Sequence, residues 1–405
     1  MKGPIKIVRI MDRLNVGGPA IHAALASRGL SLAQTEGAFD TLLVHGRVEP
    51  GEEEMAHLFD SGIRREFVPT LARPLSPLAD SKTFWRILKI LRRERPDVVH
   101  THKSKAGALG RLAAWLCRVP VRVHTFHGQV FEGYFSSTAS RWIVRVERFL
   151  AKLSHAILAL SPALQEELAV RYRIAPKEKV RLVPLGLDLE PLARPSERRR
   201  LQRECGLDPK RPSIGIVGRL VPVKNHALFL EAARELAEER PELLFFIVGG
   251  GELEEPLKAQ SRRLGLDGRV HFTGFRKDLP EVYASLDVLA LTSDNEGTPV
   301  VLIEALAAGV PVAASDVGGV PDVLQNGRLG KLFARADKKA LAQALRDTLA
   351  RAPEAAQQER ARRHMMERYA AGRLCKDLAG LYLELLGLSP AGGATVKAQG
   401  TLRRP

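Results

Sequence analysis

The chain predicts an α/β fold made of two similar halves, each a parallel sheet wrapped by helices on both faces. Three observations carry this. Short apolar runs of strand length alternate with helix-period segments along most of the sequence, and repeated β-then-α units argue parallel sheets rather than hairpins. The alternation breaks once, between 184 and 212, and then restarts. The length of 405 residues also exceeds what one hydrophobic core normally supports. Ligands of such sheets gather at the C-terminal ends of the strands, so the residues just past each strand matter most.

Bulk composition narrows the class. With 45% hydrophobic and 27% charged residues the chain reads as globular, and no apolar run reaches the roughly 18 residues a spanning helix needs. The start, Met1 to Ile10, has too short an apolar stretch for a signal peptide, so a cytoplasmic location is expected, with peripheral attachment to the inner face of the plasma membrane as a variant. Cys117, Cys205 and Cys375 lie far apart and without nearby metal-ligand patterns, which argues against a disulfide framework or a zinc site. The net charge of +16 points to an anionic partner. Residues 1–190 hold 29 Lys+Arg against 19 Asp+Glu, or +10. A uniformly basic composition with no anionic partner would look the same. Aromatics at 5% and no recognisable reading helix argue against nucleic acid.

In the first half, Ile5–Met11 reads as a strand, Gly17-Gly18-Pro19 as a turn, and the following stretch to about Leu32 as a helix. Glycines there either let backbone approach a phosphate or merely make the turn. The spacing is not that of dinucleotide binding. Further strands are expected near 41–44, 65–68, 98–101, 121–125, 156–159 and 180–183. Residues 81–95 form a helix with Phe84, Leu88 and Leu91 on one face and Lys82, Arg86, Lys89, Arg92 and Arg93 elsewhere. It either covers the sheet with a solvated basic side or lies on an anionic membrane. His100, His102 and His127 end strands. Of these, His127 is the preferred site residue, and the other two are expected to be ordinary strand-end polar groups. The aromatic loop 131–135 suits either core filling or an apolar acceptor tail.

Residues 184–212 read as a connection with one basic helix, dividing a domain at 1–190 from one at 191–365. Ser213 opens the second series. Its strand ends at Gly218, and Arg219 and Lys224 follow in the loop, where two cations can clamp a diphosphate or simply be solvated. Strands near 243–248, 269–273, 287–292 and 312–315 come next. Thr298-Pro299 reads as an N-cap and first helical residue, and Gly309 and Pro311 end that helix. Glu304 is its one polar residue, and a carboxylate there needs a partner such as a ligand hydroxyl, unless it faces solvent. Glu296 sits in the loop before it. A helix at 366–387 and a disordered tail at 388–405 close the chain.

Glu296-x7-Glu304 with Gly297, preceded by Gly218-Arg219-Leu220-x3-Lys224-Asn225, resembles the C-terminal domain of retaining GT-B glycosyltransferases of family 4, the glycosyl transferases group 1. Gly17-Gly18, Pro96-Asp-Val-Val-His-Thr-His102 and His127-Gly128 extend the resemblance over roughly 5–385. It implies two Rossmann-like domains facing a cleft, with the donor held mainly by the second and the acceptor by the first. Arg219 and Lys224 would bind the diphosphate and Glu304 the ribose. Glu296 with the amides of Gly297, Thr298 and Val300 would hold the transferred sugar. His127 would approach the sugar from the other domain. Gly17 and Gly18 would lie at the phosphates, with Gly218 and Arg276 also in the donor site. The final helix would cross back to the first domain. Thr298-Pro299 replaces an aromatic and a second glycine found in many relatives, and Pro299 lacks an N–H for the sugar.

The expected activity is transfer of a sugar, with retention, from a nucleoside diphosphate donor, UDP being the first choice, to a hydroxyl acceptor. A lipid-linked glycan in surface polysaccharide or glycolipid synthesis is the expected acceptor, and an anionic membrane surface an associated partner. No D-x-D motif occurs, so no cofactor and no metal are expected. The rival readings are another GT-B enzyme, such as a nucleotide-sugar epimerase, and a non-catalytic sugar-nucleotide-binding protein.

Overall fold

The computed structural model describes residues 3–15, 17–31, 39–49, 63–72, 74, 76–128, 137–194, 196–350 and 355–388. The loop 131–135 and the tail beyond Leu388 therefore lie outside the described residues.

The first sheet contains β1 (Ile5–Met11), β2 (Phe39–His45), β3 (Arg64–Phe67), β4 (Val98–His102), β5 (Val121–Thr125), β6 (Ala156–Ala159) and β7 (Val180–Leu182). The second contains β8 (Ser213–Val217), β9 (Leu244–Val248), β10 (Val270–Gly274), β11 (Val288–Leu291), β12 (Val312–Ser315) and β13 (Lys331–Phe333). Strand order is β3-β2-β1-β4-β5-β6-β7 in one and β10-β9-β8-β11-β12-β13 in the other. Every pairing is parallel, as between β1 and β4 (Ile7 beside Val98) and between β8 and β11 (Ile214 beside Val288). Each expected strand is present. β13 is the strand that the sequence reading omitted; at three residues it carries no alternation.

Parallel strands bury both faces, and the pleat sends neighbours to opposite cores. Ile7 packs with Val98, Val121 and Leu158 on one side of the first sheet. Val8 and Ile10 pack with Val44 and Val99 on the other. That second face is covered by α2 (Pro77–Glu94), through Ile87, Leu88, Ile90 and Leu91, and by α3 (Ser104–Leu116). Thus α2 is a sheet-covering helix, and its Arg86 and Arg93 pair with Glu66. In the second sheet, Phe246, Leu289 and Leu291 face Leu302, Ile303 and Leu306 of the helix Val300–Ala307. Ile214, Phe245 and Ala290 face Phe229, Leu236 and Leu345.

The connection contains two short helices, Glu190–Ala193 and Arg200–Glu204, rather than one. At the far end the helix Ala355–Tyr369 packs on the second domain. The chain then bonds across Leu187, whose N–H donates to the Tyr369 carbonyl at 2.7 Å while the Ala371 N–H donates to the Leu187 carbonyl at 2.9 Å. The final helix, Ala371–Leu385, returns to the first domain, where Leu374, Leu378 and Tyr382 join its core with Ala26 and Leu30 of α1 (Gly18–Ser31).

One polar contact locks α3 to α4 (Ser137–Leu153). Arg111 and Glu147, both buried, meet at 2.7 Å. Removing one partner strands the other charge in the interior. Arg111→Met should therefore cost about 3–5 kcal/mol, and the double variant Arg111→Met/Glu147→Leu should recover much of that loss. Urea denaturation of the three proteins decides it, and equal stability of the single variant and wild type would refute the pairing.

Candidate active site

Each sheet reverses its strand order at one place, between β1 and β4 in the first and between β8 and β11 in the second. Crevices open beyond the C-terminal ends of strands at such reversals. The loops at these four ends carry Gly17-Gly18, His102, Gly218-Arg219 and Glu296. The two reversals face one another closely. A Cβ on Gly18 would lie 3.4 Å from Val300 Cγ2, and one on Gly297 would lie 3.4 Å from the His127 carbonyl oxygen. So the first loop and the 127–128 loop of one domain abut residues 297–300 of the other.

In the second domain, β8 ends beside Gly218, and the Lys224 stem runs past it at contact distance. Pro222–Lys224 form a 3-10 turn, Asn225 turns left-handed at φ 48°, and its side chain accepts from the Leu228 N–H to start the helix His226–Glu239. The Thr292 hydroxyl donates to the carbonyls of Lys224 and Asn225 at 2.9 and 3.0 Å, which ties this turn to the end of β11. Lys224 Nζ then reaches Glu296 Oε1 at 2.5 Å, and the Ser293 hydroxyl donates to the same oxygen at 2.7 Å. Among the described residues Oε2 of Glu296 has no protein partner. Arg219 is exposed, and among the described residues no carboxylate pairs with it.

The Glu296 loop is supported from behind. Gly318 has φ +50°, and a Cβ on it would lie 1.9 Å from the Glu296 carbonyl oxygen; one on Gly319 would lie 1.9 Å from that of Gly297. The Gly319 N–H donates to the Glu296 carbonyl at 3.1 Å. No larger residue allows that approach. The following helix starts one residue later than expected, with Pro299 rather than Thr298 at the cap, and ends as expected, with Gly309 left-handed at φ +80°.

Glu304 has a protein partner that its own helix does not reveal. The buried Tyr283 hydroxyl donates to Glu304 Oε2 at 2.8 Å. Burial raises the Glu304 carboxyl to about 7, although the Tyr283 bond pulls the other way. The same burial, with the carboxylate opposite, pushes the Tyr283 hydroxyl up. Arg276 is held by Asp278 and by Glu204, with Nη1 2.7 Å from Glu204 Oε2, so its charge is already matched.

In the first domain His100 and His102 are not simple strand-end groups. Both are fully buried. His127 Nε2 lies 3.0 Å from His102 Nδ1, the rings of His102 and His100 stack at 4.4 Å, and His100 Nδ1 lies 2.6 Å from the Tyr382 hydroxyl. His22 of α1 meets the His102 and His127 rings edge-on. Burial, then neighbouring Lys103, lowers His127 to about 3, so it is a neutral hydrogen-bonding group at ordinary pH. His22, Tyr283, Ser293 and Tyr382 escaped the sequence reading. His22, Tyr283 and Tyr382 are remote in sequence from their partners and only the fold brings them together, whereas Ser293 lies three residues before Glu296 in the same loop.

The raised Glu304 carboxyl has a stability consequence. A group whose folded pKa is about 7, against about 4.3 unfolded, favours the fold when protonated. Its ionised form is penalised progressively as pH rises, and fully so above pH 7. Glu304→Gln cannot ionise and still accepts from Tyr283. Its stability relative to wild type should rise between pH 5 and 8 by about 2.5 kcal/mol at most, less where solvent reaches the partly exposed carboxylate. Denaturation at both pH values measures this; a difference that does not change with pH would overturn it.

Comparison with known proteins agrees with this geometry. Residues 17–191 match the family Glycosyltransferase Family 4 and residues 197–369 match Glycosyl transferases group 1. An Escherichia coli UDP-Gal:alpha-D-GlcNAc-diphosphoundecaprenol alpha-1,3-galactosyltransferase is 36% identical over 272 residues, 66% of this chain and 70% of that protein. A D-inositol 3-phosphate glycosyltransferase of Nocardia farcinica is 33% identical over 58% of this chain and 55% of its own length. Anabaena Alr3699/HepE, solved with UDP, superposes with a TM-score of 0.76 at 22% identity, covering 94% of this chain and all of that one. A Rickettsia africae glycosyltransferase gives 0.78 at 18%, covering 96% and 100%. Matched in both halves and sharing the GT-B architecture throughout, the chain belongs to glycosyltransferase family 4 and is a glycosyltransferase.

Proposed function

We propose that this enzyme transfers a sugar from a UDP-sugar to a hydroxyl of a lipid-linked glycan, with retention of configuration and without a metal ion. The observation that carries the reading is the pair of half-engaged carboxylates at one cleft. Glu296 gives one oxygen to Lys224 and Ser293, and Glu304 gives one to Tyr283. Each keeps the other for hydroxyls, Glu304 for the ribose and Glu296 for the transferred sugar. Arg219, Lys224 and the N-terminus of the helix Val300–Ala307 neutralise the leaving diphosphate where its charge develops. Arg276, already bound by two carboxylates, contributes to donor binding through its loop rather than its free charge. Neutral His127 offers a hydrogen bond to the sugar, and its carbonyl lies against Gly297 from the acceptor side. The acceptor hydroxyl then attacks from the face the diphosphate leaves, with the departing phosphate taking its proton.

UDP rather than another base, and the lipid-linked acceptor, follow the names of the relatives: the galactosyltransferase acts with UDP-Gal on a diphosphoundecaprenol-linked sugar. Full-length protein should show a larger thermal shift with UDP than with GDP or ADP, since a bound ligand stabilises the fold by mass action. Glu304→Ala should weaken UDP binding by about ten-fold, and Lys224→Ala should slow transfer by about 10²-fold, as loss of a charge-assisted contact predicts. Wild-type donor affinity and turnover in both variants would sink the assignment. The anomeric configuration of the product, followed by NMR, tests retention.

A specific observation also favours attachment to an anionic membrane. On α4 the side chains Trp142, Val146 and Phe149 are exposed, spaced to share one face, and Arg141, Arg145, Arg148 and Lys152 are exposed around them. A helix with exposed aromatics rimmed by cations suits the boundary between headgroups and acyl chains. The Arg111–Glu147 bridge sets α3 alongside, and Trp115 and Leu116 at its end are exposed as well. Among the described residues no helix is long and apolar enough to cross a membrane. Co-sedimentation should favour phosphatidylglycerol over phosphatidylcholine vesicles and fall several-fold in Trp142→Ser/Phe149→Ser. Equal recovery with both lipids would count against the attachment.

A further inference from the structure

Among the described residues two arginines are fully buried, Arg9 and Arg111. Arg111 has Glu147 as its counter-charge. Arg9 has no carboxylate partner among the described residues. It lies in β1 directly beside His100 in β4, at the strand-order reversal that opens on the cleft. Its Nη1 donates to His100 Nδ1 at 2.9 Å, and its guanidinium carbon lies 5.9 Å from the centre of the Tyr382 ring. Nε and Nη2 have no partner among the described residues. A buried cation left in this way weighs against the fold, so stability does not account for it.

The bond that Arg9 makes fixes a tautomer. A guanidinium only donates, so His100 Nδ1 is the acceptor. Burial above all holds this ring well below its usual pKa, so it is neutral and carries a single proton. That proton must sit on Nε2, from which it is donated to Thr125 Oγ1 at 2.7 Å. The Tyr382 hydroxyl, 2.6 Å from Nδ1, addresses the same lone pair. Two routes lead from this ring to His127. Thr125, whose hydroxyl His100 holds, lies two residues before His127 at the end of β5. His102 stacks on His100 at 4.4 Å, and its Nδ1 lies 3.0 Å from His127 Nε2.

We propose that Arg9 and Tyr382 are positioning residues for the transfer reaction, which fix the His127 ring through His100, His102 and Thr125. Arg9 comes from the first strand and Tyr382 from the final helix, and both act at His100 Nδ1. With that nitrogen held as an acceptor, His100 stays in one tautomer and one orientation, and so do the two groups that lead on to His127. The placement of the ring stands by itself, whereas its effect on turnover rests on the proposed contact between His127 and the sugar.

Imidazole NMR of the full chain, labelled with nitrogen-15 at histidine, reads the placement directly. Wild type should show His100 protonated at Nε2 alone. In Arg9→Met/Tyr382→Phe that tautomer should become mixed and the His127 signals should move, with thermal stability equal to wild type or higher. Tyr382→Phe alone keeps the ring packing and should move them the same way by less. A His100 proton on Nδ1, His127 signals unmoved in both variants, or a double variant less stable than wild type would overturn the assignment. Turnover can be followed with UDP-galactose and alpha-D-GlcNAc-diphosphoundecaprenol, the pair named for the galactosyltransferase relative. Arg9→Met should slow transfer by about ten-fold or more, as a misplaced group does, with UDP affinity kept within about two-fold. It should add no further loss in a His127→Ala background. Wild-type turnover in Arg9→Met, or undiminished slowing in that background, would overturn the effect on the reaction. A wild type with the expected NMR pattern and no transfer would overturn the transferase reading for these substrates and leave the positioning.

Discussion

Close backbone approach behind the Glu296 loop is the constraint on which the rest of the structure depends. Two glycines permit it. In front of that loop the domains adjoin at ordinary contact distance, Gly18 beside the Val300 side chain and Gly297 beside the His127 carbonyl. Gly318 and Gly319 lie behind, each so near a carbonyl of the 296–297 segment that a Cβ would collide with it. The Glu296 loop is thus clamped between one glycine pair and the opposite domain. Lys224 meets Glu296 across this clamped loop, with its stem passing alongside Gly218. Placement of Glu296 is therefore a consequence of the missing side chains at Gly318 and Gly319.

Desolvation decides the protonation states that follow. The cleft side of the first domain gathers His22, His100, His102 and His127 in a buried cluster, and burial lowers all four. Such a cluster stays neutral, which suits hydrogen bonding to hydroxyls and excludes these rings as counter-charges to a diphosphate. Positive charge comes instead from Arg219 and Lys224 on the facing domain. The division between a neutral polar wall and a cationic wall follows from burial alone. It also places the final helix within the site's support, because Tyr382 bonds His100, which stacks on His102, which bonds His127.

Much of this was legible in the sequence. Parallel strands buried on both faces are short continuous apolar runs, and residues 98–101 or 244–248 can be nothing else in that context. Gly309 and Pro311 end a helix for reasons local to the chain. β13 was not legible because three residues carry no pattern, and its existence depends on pairing with β12. The isolated Glu304 stands out in the sequence, but Tyr283 lies 21 residues earlier on another helix, and only their packing makes them partners. The basic helix α2 was ambiguous because charge on a solvated face looks the same whether water or lipid lies beyond it. The structure moves that question to α4, which packs Leu150 and Ala151 inward and exposes a second apolar stripe of Trp142, Val146 and Phe149.

The carboxylates show how far a static arrangement can speak for a ligand. A buried acid satisfied on both oxygens is a structural element, and one satisfied on neither would be lost to the cost of burial. Glu296 and Glu304 fall between: each has one oxygen fixed by the protein and, among the described residues, the other without a partner. The fixed oxygen orients the group, since Lys224 with Ser293 and Tyr283 leave little rotational freedom. The free oxygen retains its capacity to accept. Arg276, saturated by Asp278 and Glu204, lacks that property although sequence placed it among the donor-binding residues. Partial satisfaction, rather than charge or position alone, is what distinguishes the groups poised for substrate from those that hold the fold.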